Sequence, residues 1–266
     1  MIVNDADLAI RFDFFRWTPI MGAMRNGSLC AFVAMFMACS TPEVRPPSPI
    51  EVARKDNALG QKLLERWEFP LRLHRDLDLE VYLRTTAAKL QQASPMIREF
   101  PLAVSIVHEE ASLEKNYAFP GIQLYLSQAQ LKRIEFENEL AALIAVELAR
   151  VEQRQFLRKM ERDSPEDPSL IRRADWRDLF DFEETEDLEA TAGAVQLLYR
   201  AGYDVRGVAT FWEKLIPIAE STGHSRTRIE LLREHAYKNI ALLPPLRNPI
   251  VRTEAFDRFR KRVQQR

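Results

Sequence analysis

Scarce cysteine, scarce glycine and little net charge narrow the classes of protein to which this chain can belong. Its 266 residues include two cysteines, eight glycines and four histidines, and the formal net charge is −1. Near-neutral charge gives no basis for nucleic-acid binding, which requires a basic face. The low glycine content excludes a collagen-like or low-complexity chain. We expect one globular domain with enough chain to bury a core.

The apolar run at residues 28–38 is too short to span a bilayer but suits the hydrophobic region of a signal peptide. It ends at Ala38-Cys39-Ser40, which resembles a bacterial lipobox with Cys39 as the lipidated residue. An ordinary secretory peptide with a chance cysteine is the alternative. The acidic residues of the first 20 positions do not suit a signal peptide, so we expect translation to start at Met21 or Met24, unless residues 1–20 are a genuine extension.

These features predict a lipoprotein at the periplasmic face of the outer membrane, since Ser40 after the cysteine resembles an outer-membrane address. Cys30 would be removed and Cys39 acylated, leaving no disulfide or catalytic thiol. The predicted organisation is residues 1–38 as a mis-assigned start plus signal peptide, 39–51 as a lipidated proline-rich tether, 52–243 as the folded domain and 244–266 as a basic C-terminal helix or tail.

Hydrophobic periodicity predicts an α+β fold that is mostly helical with a small sheet. Alternating residues predict strands at 102–108 and 122–126. Ser127 is a candidate N-cap and Gly202 a candidate helix terminator. The predicted helices span residues 52–67, 78–93, 127–134, 137–159, 169–182, 184–201, 204–215, 226–242 and 253–265.

The segment Val146-Glu147-Leu148-Ala149-Arg150, in the longest of these helices, has the spacing of a zinc-binding helix without its histidines. In the motif His-Glu-x-x-His, two imidazoles one turn apart bind zinc and the glutamate is the general base. Here Glu147 is retained, whereas Val146 and Arg150 occupy the two histidine positions. The motif is therefore degenerate.

Four segments, in order, resemble the zinc metallopeptidase family M-forty-eight, which includes the CAAX prenyl endopeptidase, HtpX and BepA. They span residues 82–95, 116–127, 137–151 and 187–215. The matching residues within them are Asn116, Ala118-Phe119-Pro120-Gly121, Glu139-Leu140-Ala141 and Ala201-Gly202-Tyr203-Asp204. The resemblance covers residues 52–237 and implies a gluzincin-like domain. It also implies that the third zinc ligand falls on Asp187 and a supporting aspartate on Thr191.

A catalytic zinc needs three protein ligands, and neither valine nor arginine can coordinate it. We therefore expect no metal and no cofactor, with Glu147 vestigial. We further hypothesise that the Arg150 guanidinium replaces the metal cation by pairing with Asp187 and Glu147. The alternative is that Arg150 points to solvent.

The resemblance implies that the strand Ile122, Gln123, Leu124, Tyr125 and Leu126 is a sheet edge bordering the cleft, where an extended segment can pair without zinc. The expected function is thus a catalytically inactive homologue that binds an envelope protein or partner peptidase as a chaperone or adaptor. One alternative is an active zinc endopeptidase with His224, Glu147 and Asp187 as unconventional ligands. Another is a structural lipoprotein with a closed cleft.

Two features outside this motif are the histidines and the basic C-terminal segment. The histidines have no metal-ligand spacing to one another in the sequence, so each is expected to be an ordinary surface or hydrogen-bonded residue. The basic C-terminal segment suits either contact with anionic lipid or a solvated helix end. It contains Arg258, Arg260, Lys261, Arg262 and Arg266.

Overall fold

The computed structural model describes residues 48–66, 72–108, 115–163, 178 and 180–265. The predicted signal peptide, Cys39 and most of the tether at 39–51 lie outside these residues, as does most of the predicted helix at 169–182. None of the helices in the described ranges is both long and apolar enough to cross a membrane.

The described part of the chain is α+β and mostly helical, as the periodicity predicted. Its helices are α1 (Pro49–Arg66), α2 (Leu77–Gln92), α3 (Gln128–Arg133), α4 (Glu137–Glu152), α5 (Gln155–Asp163), α6 (Glu184–Ala201), α7 (Arg206–Leu215), α8 (Arg226–Ile240) and α9 (Glu254–Gln264), with a 3-10 segment at Ile216–Thr222. The Ser127 side chain accepts a hydrogen bond from the Gln130 N–H at the start of α3. Gly202 ends α6 at a φ of 78°, so both predicted helix signals are confirmed.

A small mixed sheet packs beside the helices. Its strands are β1 (Arg72–His74), β2 (Ala103–His108), β3 (Tyr117–Phe119) and β4 (Gln123–Ser127), in the order β1-β2-β4-β3. The β2–β4 pair is parallel, and the other two pairs are antiparallel. The strands predicted at 102–108 and 122–126 are confirmed to within a residue at each end. Strands β1 and β3 were not predicted because three residues are too few to show alternation.

The prediction that residues 122–126 form a sheet edge is wrong. Within the described residues, β4 is hydrogen-bonded on both sides, with Tyr125 facing Ser105 of β2 and Tyr117 of β3. The Ser127 N–H donates to the Asn116 side-chain oxygen at 2.9 Å. Strand β3 therefore occupies the position that a bound segment would need, and it is itself buried along its whole length.

Helix α4 lies at the centre of the core. Every residue from 137 to 150 is buried, and the helix packs against α2, α6 and α7. A helix that is apolar nearly all round belongs in a protein interior. Gly207 at the start of α7 allows a close approach, because a Cβ there would lie 2.3 Å from the Asn138 carbonyl oxygen. Because α4 is buried, its polar side chains Glu147 and Arg150 are shielded from water.

The single helix predicted for 137–159 is wrong, because α4 ends at Glu152 and α5 starts at Gln155. Between them, Arg154 has a φ of 58°, a left-handed conformation that interrupts a helix. Its guanidinium donates to the Asp56 carboxylate of α1, with Nη2 to Oδ1 at 2.9 Å. This break lets Gln155 turn back towards α4 and α6, where it contributes to the site described next.

Candidate functional site

Helices α4 and α6 bring the predicted site residues together. The Arg150 Nη2 donates to Asp187 Oδ1 at 2.6 Å, and Arg150 Nε lies 3.8 Å from Glu147 Oε2. Arg150 is 6% exposed and Asp187 is 1% exposed. The pairing of Arg150 with both carboxylates is confirmed, and the alternative in which Arg150 points to solvent is wrong.

The remaining faces of the Arg150 guanidinium are also occupied. Its Nη1 donates to Gln155 Oε1 at 2.9 Å, and the Gln155 amide donates in turn to the Glu186 carbonyl at 2.6 Å. The guanidinium carbon lies 4.4 Å from the centre of the Phe182 ring, a cation–π contact. Planar stacking and several fixed donors are properties that arginine offers and lysine does not.

A second arginine, which sequence reasoning missed, completes the network. Arg228 of α8 pairs with Asp187 Oδ2 and also donates to the Phe182 carbonyl at 2.6 Å. Arg228 lies outside the segments in which the resemblance implies zinc ligands. No sequence signal distinguished it from the other arginines of a charged helix.

His224 contacts the same carboxylate from the loop before α8. Its Nε2 lies 3.2 Å from Asp187 Oδ2, and its Nδ1 lies 3.0 Å from the Thr222 carbonyl oxygen. Both ring nitrogens therefore face oxygen acceptors, and the imidazole donates at both when it is protonated. The expectation that His224 is a hydrogen-bonded histidine is confirmed, but its contact with Asp187 was not predicted.

The pKa of Asp187 is lowered, whereas the pKa values of Glu147 and Arg150 are raised. Burial alone would raise the pKa of Asp187, but the charge of Arg150, the hydrogen bond and charge of His224, and Arg228 outweigh it and hold that pKa well below its ordinary range. Burial raises the pKa of Glu147, and the distant contact with Arg150 compensates only in part. Burial would lower the pKa of Arg150, but Asp187 and Glu147 raise it above the ordinary value.

The formal charges of this network equal those of a zinc centre with two carboxylates. Arg150 and Arg228 supply two positive charges, and Asp187 and Glu147 supply two negative charges when ionised. A buried carboxylate pair without any cation would be strongly destabilised. Two guanidiniums thus match the double positive charge of one zinc ion.

The residues present do not fit a catalytic zinc. Val146, at the first histidine position, is a buried apolar side chain, and the second position supplies a cation. Both oxygens of Asp187 are already bound by Arg150, Arg228 and His224. Across the described ranges, no group of three or more histidine, cysteine, aspartate or glutamate side chains is arranged to hold a metal ion, and this includes His224, Glu147 and Asp187.

One histidine pair was not foreseen from the sequence. His74 Nδ1 and His108 Nε2 lie 3.0 Å apart. The reason is that His74 of β1 pairs with Ile106 of β2, and His108 lies two residues further along β2 on the same face of the sheet. The expectation that each is a surface or hydrogen-bonded histidine is confirmed, although their contact with each other was not predicted. Sequence spacing could not reveal it, since the pairing of β1 with β2 was not predicted.

Arg150 lines a small cavity and a larger one. The small cavity encloses about 40 Å³ and is also lined by Glu147, His224, Trp212 and Lys115, among others. The larger cavity encloses about 300 Å³ and is also lined by Asp56, Ala118 and Ile122, among others. Burial lowers the pKa of Lys115, although Asp181, 3.9 Å away, opposes this shift. The aromatic side chains of β3 belong to an apolar cluster in which the Phe119 and Phe180 rings lie 4.7 Å apart. Tyr117, Phe156, Phe182, Leu157, Met160 and Leu63 complete that cluster.

Comparison with known proteins adds no assignment to this geometry. No family model and no curated protein gives a match to this chain.

Proposed function

We propose that this chain is a catalytically inactive homologue of the M-forty-eight zinc metallopeptidases, with a gluzincin-like domain. The observation that carries the proposal is the position of the Arg150 guanidinium, between Asp187 Oδ1 at 2.6 Å and Glu147 Oε2 at 3.8 Å. It lies where the resemblance implies a metal ion, one helical turn from Val146. The described helices and mixed sheet suit such a domain.

Loss of catalysis follows from the chemistry of this site. In active M-forty-eight peptidases, the glutamate at the position of Glu147 acts as a general base only because zinc lowers the pKa of a bound water. Here its carboxylate faces a guanidinium instead of a metal-bound water. The three ligands that a catalytic zinc requires are not offered by Val146, Arg150 and Asp187.

The proposed role is that of a non-catalytic adaptor or scaffold held in the bacterial envelope by lipid on Cys39. Contact with envelope proteins then does not use the former cleft, because β4 is paired on both sides within the described residues and β3 is buried. Partner contacts must therefore lie on another surface.

Metal content and peptidase activity, measured on one preparation, test this proposal. The full chain is expressed in zinc-replete medium, purified without chelator and examined by elemental analysis and by cleavage of an unfolded protein substrate. We expect zinc far below stoichiometry and no cleavage that a chelator abolishes. Stoichiometric zinc that is lost in Asp187→Ala, with chelator-sensitive cleavage, would overturn the proposal in favour of an active peptidase.

A further inference from the structure

A surface groove separates α2 from α9, away from the Arg150 site. It has a volume of about 610 Å³, and none of its lining residues lines the cavity beside Arg150. Its floor includes Tyr82 and Phe259, whose rings stack at 4.7 Å. Helix α9 is held in place by Phe256, Phe259 and Val263, which belong to the main core. The groove is therefore a concave feature between two fixed helices.

Exposed apolar side chains of α2 lie in and beside the groove. Val81 lines the groove and is 51% exposed, and Leu77, just outside the lining, is 74% exposed. They are four residues apart and so lie on the same helix face. A single exposed leucine is unremarkable, but an apolar pair beside a groove is typical of an interaction surface.

The other side of the groove carries positive charges without partners. Arg258 and Lys261 are exposed on α9 and have no ion pair or side-chain hydrogen bond within the described part of the chain. Arg262 differs, because it pairs with Asp76 at 2.8 Å and Asp78 at 2.7 Å. The lining includes three cationic side chains and one acidic one, Asp78. The groove thus has an excess of positive charge.

We propose that this groove docks an acidic amphipathic helix of a partner protein. An amphipathic helix binds such a groove through apolar side chains at i, i+3, i+4 and i+7. These would contact Val81 and the Phe259 ring within the groove and Leu77 beside it, while acidic residues on its flank would pair with Arg258 and Lys261. The concave shape favours a helix over a flat lipid surface. The inference goes beyond the proposed function, because it holds whether or not the Arg150 site is catalytic.

Fluorescence anisotropy with a designed peptide tests the proposal on the full chain. The probe is a labelled helical peptide of about four turns, with leucines at i, i+3, i+4 and i+7 and glutamates between them. A matched peptide carries lysine at each glutamate position. The protein variants are Arg258→Glu/Lys261→Glu and Val81→Asp. The control is Lys238→Glu/Arg247→Glu, which makes the same change of net charge at exposed positions outside the groove.

We expect the acidic peptide to bind saturably and at least about tenfold more tightly than the lysine peptide. Both groove variants should weaken binding by about tenfold or more, and the control should not. Equal binding of the two peptides, equal weakening by the control, or no binding would overturn the proposal. Binding of phosphatidylglycerol vesicles, but not of the peptide, lost in Arg258→Glu/Lys261→Glu, would overturn it in favour of a lipid surface. Circular dichroism of each variant establishes that it is folded.

Discussion

The Arg150 site and the α2–α9 groove differ in how their charges are matched. At the site, Arg150, Arg228, His224, Asp187 and Glu147 are buried and contact one another. At the groove, Arg258 and Lys261 are exposed and unmatched by the described residues, beside exposed apolar side chains. Matched buried charges stabilise one conformation, whereas unmatched exposed charges cost little and remain available to a partner. We therefore expect substitutions at the site to change the free energy of unfolding and substitutions at the groove to change the proposed partner binding.

Removal of the central cation should have the largest effect on stability. Arg150→Met keeps an unbranched side chain but leaves Asp187 and Glu147 buried without their shared cation, so we expect the free energy of unfolding to fall by about 3–5 kcal/mol. Urea unfolding followed by circular dichroism measures it. The exposed pair Arg226–Glu230, at 3.0 Å, provides the control, because Arg226→Ala should change stability by less than about 1 kcal/mol. Similar losses in the two variants would contradict the account.

Neutralising Asp187 should have a smaller, pH-dependent effect. The folded pKa of Asp187 is depressed, so its carboxylate contributes stability above its unfolded pKa of about 3.9, and this is lost as pH falls through the folded value. Asp187→Asn should therefore destabilise by about 2–4 kcal/mol at neutral pH. The difference from wild type should shrink as the pH is lowered below about 4. Unfolding curves at several pH values across this range measure the difference in free energy of unfolding. A difference that stayed constant would contradict the prediction.

Glu147 should respond in the opposite direction. Its folded pKa is raised, so the stability that its protonated form contributes is present below the unfolded pKa of about 4.3 and is lost as pH rises through the folded value. Glu147→Gln retains the shape and removes the buried charge. We expect it to be neutral or stabilising at pH 7, within about 1 kcal/mol, with the difference vanishing in acid. Marked destabilisation at pH 7 would mean that Arg150 depends on Glu147 as strongly as on Asp187.

The groove substitutions should have the smallest effect on stability. Arg258→Glu/Lys261→Glu changes exposed side chains without described partners, so unfolding should change by no more than about 0.5 kcal/mol. Thermal unfolding of this variant beside Lys238→Glu/Arg247→Glu checks the expectation. A large loss confined to the groove variant would show that α9 depends on these cations for its packing.

Much of the fold followed from the sequence because its signals are local. Helix bounds depend on periodicity, on caps such as Ser127 and on terminators such as Gly202, and these were predicted within a few residues. The break at Arg154 was missed because no local residue pattern marks its left-handed conformation, and its ion pair with Asp56 is a tertiary contact. The order of strands was also missed, because β3 is too short to recognise and its pairing with β4 is a tertiary contact.

The candidate site was predictable only where it lies on the motif. The helical spacing of Glu147 and Arg150, and the register that selected Asp187, were sufficient to predict the ion pair. Arg228 and Gln155 were not predictable, because their contributions depend on how α8 and α5 pack against α4 and α6. Sequence spacing gives the relations within one helix, whereas a network across four helices requires their packing.

The central claim is that two guanidiniums take the place of a metal ion in a metallopeptidase-like domain. Introducing histidine at both motif positions tests this claim most directly. The measurement is the zinc content of Val146→His/Arg150→His by elemental analysis after equilibration with zinc, beside the wild-type chain and with folding checked by circular dichroism. The account predicts about one zinc per folded variant chain and almost none in the wild type, since three ligands suffice for such a site. Stoichiometric zinc in the wild type, or none in the folded variant, would contradict it.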